Sequence, residues 1–391
     1  MESILLERIV ERIESSKNDW RMAPPRGGRS LRIQQDFYDQ YGKQNILNDA
    51  VRLEELGLVK VKWIDSTRSD VEKILYELEQ RDTYYRMLDR IPKAERMEGW
   101  RNTADAMYRR AQTDWLRRYL AAAMERIERG GVPEALAAKG MPACLEALDR
   151  LQNPVYKRIF SKHVLKDSKA FERELETRVL SIARRYHSSV EDNMDDSQVL
   201  AQLFIEEYSQ ELEIKGELRV EVDGRTLDLS AFPYGTVLNS AMLKAAGICR
   251  DQNIRRIITV ENKANFMSMP YEPGTLILFC HGYFSPKERE FLKKLEQVLQ
   301  DRQVVYLHTG DLDYGGIQIF SHIKKHVFPK LEPLHMDVET FERYRTEAMK
   351  LEPAARQRLE MLKEPMLEPL ISHILETGLV IEQESFLLGE G

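Results

Sequence analysis

The sequence predicts a multidomain protein: an α/β C-terminal domain, a parallel sheet with flanking helices, preceded by a mainly α-helical N-terminal region. Three observations predict it. The 391 residues are more than one domain usually spans. Helical spacing of apolar residues dominates before residue 250, broken at prolines and glycines. After residue 250, short continuous apolar runs alternate with helical stretches, the pattern of strands buried on both faces beneath crossover helices.

Composition narrows the class. With 42% hydrophobic and 31% charged residues, the chain can bury sizeable cores and is neither disordered nor low in complexity. No apolar run reaches the roughly 20 residues of a membrane span, so no membrane partner and a cytoplasmic location are expected. Cys144, Cys249 and Cys280 stand far apart, a spacing that argues for neither a disulfide framework nor a cysteine zinc site. The net charge of −6 gives no overall attraction to nucleic acid, which leaves local basic surface such as Arg109-Arg110 and Arg117-Arg118 to supply it.

The elements follow in order. Ile4, Leu5, Ile9 and Ile13 share one helical face behind Ser3 as a cap. A break follows at residues 23–28. Residues 46–57 read as a helix closed by Gly57, and 58–64 alternate like a strand. That succession looks like a winged-helix module over residues 1–68, whose last helix and wing commonly meet DNA. From Asp70 to about Glu213 the pattern is helical almost throughout, giving a helical arm over 69–150 and a middle region over 151–250. Within the latter, two alternating runs around Asp223-Gly224 signal a hairpin. Strands are expected at 255–261, ending in an acid, at 275–280 and at 303–308, with a helix at 286–300, inside a domain spanning 251–391.

Ligand chemistry in such sheets gathers beyond the C-terminal ends of the strands. That rule selects Glu261, directly after the apolar run 257–260 of the first strand, and Asp311 and Asp313, directly after the third. Alternation in an extended segment places the two aspartates on one side, about 6 to 7 Å apart. Three carboxylates from neighbouring strands suit Mg²⁺ or Mn²⁺, which points to phosphoryl transfer. Gly315-Gly316 would let backbone approach a phosphate at the start of a helix expected at 317–327. Lys263 is a natural phosphate or DNA contact. His281, beside Gly282, is a weaker phosphate contact, and His308 reads as a satisfied core histidine.

The order of these residues resembles the Toprim domain across about residues 253–338: Thr259-Val260-Glu261-Asn262, then Cys280-His281-Gly282-Tyr283, then Gly310-Asp311-Leu312-Asp313-Tyr314-Gly315-Gly316. The runs HTGDLDYGG, KDSKAFERELE, FPYGTVLNSAML and LVIEQE resemble, more narrowly, the JetD family, nuclease subunits of Wadjet plasmid-defence systems, over about residues 150–391. That resemblance implies a homodimeric DNA endonuclease cutting double-stranded plasmid DNA presented by a condensin-like SMC complex. It implies that 251–391 is a Toprim catalytic domain with C-terminal helices, and that 151–250 is a DNA-binding region of winged-helix or CAP-like type. Asp311 and Asp313 become metal ligands, Glu261 a ligand or general acid-base group, Glu382 and Glu384 candidates for a second metal site, and Ser168 and Lys169 DNA contacts.

Two other functions remain open to the sequence. Arg81-Asp82-Thr83-Tyr84-Tyr85 resembles the tyrosine cleavage motif of topoisomerase VI A subunits, which would make the protein a transesterase, although the stretch from Val71 to Arg90 reads as one long helix with both tyrosines as packing aromatics. A DNA-binding adaptor with a non-catalytic acidic cluster is the third possibility.

Overall fold

The computed structural model describes residues 3–207 and 211–388. The chain divides into two compact units, Met1–Pro142 and Ala143–Gly391.

The first unit begins with α1 (Ile4–Ser15), capped by the Ser3 hydroxyl, which accepts from the Leu6 amide. Leu5, Leu6, Ile9, Val10 and Ile13 bury one face of it. Then follow β1 (Gly28–Arg32), α2 (Gln35–Tyr41), α3 (Lys43–Glu55), β2 (Val59–Trp63) and β3 (Val71–Glu77), the strands forming an antiparallel sheet in the order β1-β3-β2. Residues 71–77 are therefore a central strand, where the sequence predicts helix. Val71, Ile74 and Tyr76 are the buried positions, and their three- and two-residue separations fit either periodicity. Pairing on both sides decides for the strand. The sheet thus extends past the boundary expected at residue 68.

α4 (Arg81–Met87) follows directly, and α5 (Lys93–Arg110) packs against α6 (Asp114–Glu128). The basic pairs on these helices are partly neutralised: Arg109 meets Asp105 at 2.7 Å and Arg118 is paired with Asp114.

The second unit is built on a six-stranded mixed sheet. Its strands are β4 (Glu211–Gly216), β5 (Thr236–Asn239), β6 (Arg256–Val260), β7 (Thr275–Phe279), β8 (Val305–Thr309) and β9 (Leu331–Pro333), in the order β9-β8-β6-β7-β4-β5. Parallel pairing joins β6 to β7 and β8, and β8 to β9. β4 and β5 add antiparallel on one side, so the middle region supplies two strands to the sheet expected to begin at residue 251. The crossovers contain α7 (Lys263–Ser268), α8 (Pro286–Leu299) and α9 (Tyr314–His326). The hairpin forms as predicted, Arg219–Val222 pairing with Arg225–Asp228 through Asp223-Gly224. Among the described residues no helix is long and apolar enough to cross a membrane.

Register fixes where chemistry can occur. Val260 lies opposite both Phe279 and Thr309, so β6, β7 and β8 end side by side, and residues 261, 280 and 310 leave the sheet at one edge.

Candidate metal centre

Glu261 is the first residue beyond β6. Its amide donates to the Thr309 carbonyl (3.1 Å) and its Oε2 accepts from the Asp311 amide (3.0 Å). The close approach requires glycine at 310, where a Cβ would stand 2.3 Å from Glu261 Oε2. Two residues on, Asp313 is the N-cap of α9, its Oδ1 accepting from the Gly316 amide at 2.8 Å. The helix therefore begins at Tyr314, three residues earlier than predicted. Gly316 has a different task from the one expected. A Cβ there would lie 2.2 Å from the Asp311 carbonyl oxygen, so its bareness accommodates the protein's own turn.

Leu312, between the two aspartates, is fully buried and forms an isolated antiparallel bridge with Ile381. The bridge brings the C-terminal segment back to the site. The Gln383 amide donates to Asp311 Oδ1 (2.7 Å), its Nε2 donates to Thr309 Oγ1 (2.9 Å), and its Oε1 accepts from the Asn262 amide (3.0 Å). Asn265 Nδ2 donates to the Gln383 carbonyl (3.0 Å). Buried Gln383 thus joins the ends of β6 and β8 and the start of α7. Sequence reasoning passed over it, because a glutamine flanked by Glu382 and Glu384 looks solvated. The two glutamates are indeed exposed, yet their charges act on the site.

The electrostatics reflect that crowding. Burial pushes the Glu261 carboxyl far above the usual carboxylate range, and Asp311, Asp313 and Glu384 push it further, against the Asp311 amide. Asp311 is likewise raised by burial, with Asp313, Glu384 and Glu382 adding to it, while the Gln383 amide opposes. Burial also raises Asp313, and the Gly316 and Gly315 amides moderate the shift. Among the described residues the influences named on these three carboxyls are burial, backbone amides and other acids, with no lysine or arginine. An all-oxygen donor set suits a hard divalent cation by chemistry, although among the described residues the three carboxylates do not bring one oxygen each within 4.8 Å of the others, so they would have to close in to share an ion.

Residues 212–389 match the family described as Wadjet protein JetD, C-terminal. The Wadjet protein JetD of Bacillus cereus (strain Q1) is 27% identical over 362 residues, which cover 89% of this chain and 86% of that protein. The chain is thus similar to JetD along most of its length and matches the JetD family model over its C-terminal part.

The family match spans the five candidate acids Glu261, Asp311, Asp313, Glu382 and Glu384, together with Lys263 and His281, and excludes Ser168 and Lys169. Lys263 is exposed, bonded to Glu213 and lying over the Phe279 ring at 4.9 Å, so its ammonium turns to β4 and not to the acids. His281 sits in a left-handed conformation after β7 with Nε2 at 3.1 Å from Glu288 Oε1. Burial opposes its protonation, but the buried Glu288 carboxylate outweighs that and raises its pKa above the ordinary histidine value. Ser168 and Lys169 are exposed in the loop after the helix Lys157–Leu165, where the Lys169 amide donates to Asp167. His308 is fully buried and only half satisfied: one ring nitrogen meets Thr259 Oγ1 at 2.8 Å, and Nε2 has no hydrogen-bond partner. In the first unit, Tyr84 and Tyr85 are core residues. The Tyr84 hydroxyl donates to the Leu58 and Glu77 carbonyls, and burial pushes both phenols up to about 12.

Proposed function

We propose that this protein is a JetD-family, Mg²⁺- or Mn²⁺-dependent DNA endonuclease of a Wadjet plasmid-defence system, with a Toprim-type catalytic domain and a winged-helix N-terminal module. The observation that carries the reading is the meeting of Glu261, Asp311 and Asp313 at the adjacent ends of parallel strands β6 and β8. The helix-strand-helix-helix-strand-strand order of the first unit supports the winged-helix part.

Glu261, Asp311 and Asp313 would hold the cation, with Glu382 and Glu384 available for a second. When bound, a divalent ion supplies charge stabilisation to the attacking and leaving oxygens of a phosphodiester displacement. The chain's own residues do the remaining work. Gln383 fixes one oxygen of Asp311 and leaves the other available, and the start of α9 orients Asp313 in the same way. Glu261, raised like Asp311 by burial and neighbouring acids in the metal-free chain, would either give up its proton and serve as the third ligand or stay off the cation and act as the general acid-base group. His281, with its pKa raised by Glu288, would offer a positive contact to a DNA phosphate. Lys263, Ser168 and Lys169 are proposed as further DNA contacts. The buried tyrosines support hydrolysis over a tyrosine-linked transesterification, because neither phenol is accessible or easily ionised.

Double-stranded circular DNA is the proposed substrate, a condensin-like SMC complex of the same Wadjet system the proposed partner, and a homodimer the proposed assembly. The test is cleavage of closed circular plasmid by the purified protein with Mn²⁺, with and without the other Wadjet components. Wild type should linearise or nick the plasmid, and Asp311→Asn should reduce cutting at least ~100-fold without loss of fold. Undiminished cutting by Asp311→Asn would end the proposal.

A further inference from the structure

A second group of metal-ligating side chains lies outside the acidic edge. His322 and His326 are one turn apart on α9, on the same face of the helix, with ring centroids 4.4 Å apart. Facing them is Glu191, from the segment between the helices Glu176–Tyr186 and Asp196–Gln202. Glu191 Oε1 is 3.1 Å from His322 Nδ1, and its Oε2 accepts from Gln318 Nε2 at 3.0 Å. One ligand atom from each of the three residues lies within 4.8 Å of the others.

The hydrogen bonding around the two imidazoles is incomplete. His322 Nε2 and His326 Nε2 are both buried without a hydrogen-bond partner, and the His322 side chain is only 1% exposed. An unpaired imidazole nitrogen in a protein interior is costly, and the His326 Nε2 is the one that an ion held beside Glu191 and His322 Nδ1 would satisfy. We propose that Glu191, His322 and His326 form a binding site for a divalent transition-metal ion of the zinc class, separate from the acidic edge.

The chemistry of the donors sets the class. Two imidazoles and one carboxylate suit Zn²⁺, Co²⁺ or Ni²⁺, whereas Mg²⁺ and Ca²⁺ take oxygen ligands. Three protein ligands at bond lengths of about 2.0 to 2.1 Å leave a fourth, open position in a tetrahedral site. The 3.1 Å separation of His322 Nδ1 and Glu191 Oε1 already fits two ligand atoms sharing one ion, and His326 completes a set whose ligand atoms lie within 4.8 Å of one another. Gln318 holds the carboxylate from behind, as outer-shell groups do in metal sites. The Tyr283 ring stands edge-on to His322 at 5.0 Å and closes that side. Burial keeps both imidazoles below the ordinary histidine range, overcoming the pull of Glu191 on His322, so the neutral, ligating form prevails at neutral pH.

An ion here would clamp the Glu191 segment to α9. The neighbouring residues of that segment already bind the same region, Asp192 accepting from the Tyr314 hydroxyl at 2.7 Å and Asn193 accepting from the Tyr283 hydroxyl. Asp313 caps the other end of α9, roughly 14 to 20 Å from the two histidines by helical rise. The clamp therefore fixes a helix whose first turn helps build the acidic edge.

Cobalt tests the site spectroscopically. The full-length protein, stripped with chelator, is titrated with Co²⁺ and followed by visible d–d absorption and by elemental analysis after desalting. One equivalent of Co²⁺ should give intense tetrahedral-type bands that Zn²⁺ displaces and excess Mg²⁺ does not. Asp311→Asn should leave the spectrum and stoichiometry unchanged, which separates this site from the acidic one. His326→Ala, at a half-buried position, and Glu191→Gln should each lower Co²⁺ affinity by at least ~10-fold, with unchanged melting in metal-free buffer. The proposal is overturned if wild type takes up no stoichiometric Co²⁺ with these bands, if His326→Ala binds like wild type, or if Asp311→Asn abolishes the bands.

Discussion

The backbone amide of Gln383 donates to Asp311 Oδ1 at 2.7 Å across 72 residues of sequence. Because a main-chain group makes this contact, the identity of residue 383 matters through its side chain, which spans the Asn262 amide and the Thr309 hydroxyl. Gln383→Leu strands the buried partners on both sides. It should cost about 1 to 3 kcal/mol in chemical denaturation and weaken Mn²⁺ binding. A variant as stable as wild type would show that the network contributes nothing.

Gly310→Ala tests the close approach of β8 to Glu261. A methyl group 2.3 Å from Oε2 must displace the carboxylate. The expected loss is about 1 to 3 kcal/mol of stability, together with impaired divalent-ion binding by titration calorimetry. Wild-type affinity in this variant would mean that Glu261 is no ligand.

The raised carboxyls make stability depend on pH in a definite direction. Glu261 and Asp311 are shifted up by burial and by neighbouring acids, so the native metal-free protein retains protons that the unfolded chain has released. Their contribution is fully present below the ordinary carboxylate range, about 4, and is lost as pH rises from there to above neutrality. Metal-free melting temperature should fall over that window, and Asp311→Asn should melt a few degrees higher than wild type at pH 8. Saturating Mn²⁺ should narrow the difference. A melting temperature equally insensitive to pH, substitution and metal would contradict the electrostatic account.

The two tyrosines of α4 separate hydrolysis from transesterification. Tyr84→Phe removes a hydroxyl bonded to two carbonyls and should cost about 1 to 3 kcal/mol, while Tyr85→Phe should leave plasmid cleavage unaltered. Protein covalently bound to DNA ends after phenol extraction, and lost in Tyr85→Phe, would favour the tyrosine chemistry.

The parts of the fold that could be read from sequence are those whose signal is local. β6, β7 and β8 are continuous apolar runs, and the hairpin announces itself through Asp223-Gly224. β3 could not be read so easily, because Glu, Lys and Leu are good helix formers and only pairing with β1 and β2 overrides that preference. β1 lay hidden behind the break at residues 23–28. In the site, Glu261, Asp311 and Asp313 follow from their positions after strands. Gln383 does not, since its role depends on a return of the chain at which only Leu312, an apolar residue between two aspartates, hints. The histidines of α9 passed unnoticed for a similar reason: their third partner lies on a segment more than a hundred residues earlier.

The Leu312–Ile381 bridge has a consequence for fragments of the molecule. A chain interrupted between β9 and residue 381 can still lay down β6 through β9, but its Asp311 is left without the amide that orients it. Proteolytic wear or aborted translation should therefore leave the acidic edge misassembled, so that damage to the C-terminal segment silences whatever chemistry that edge performs.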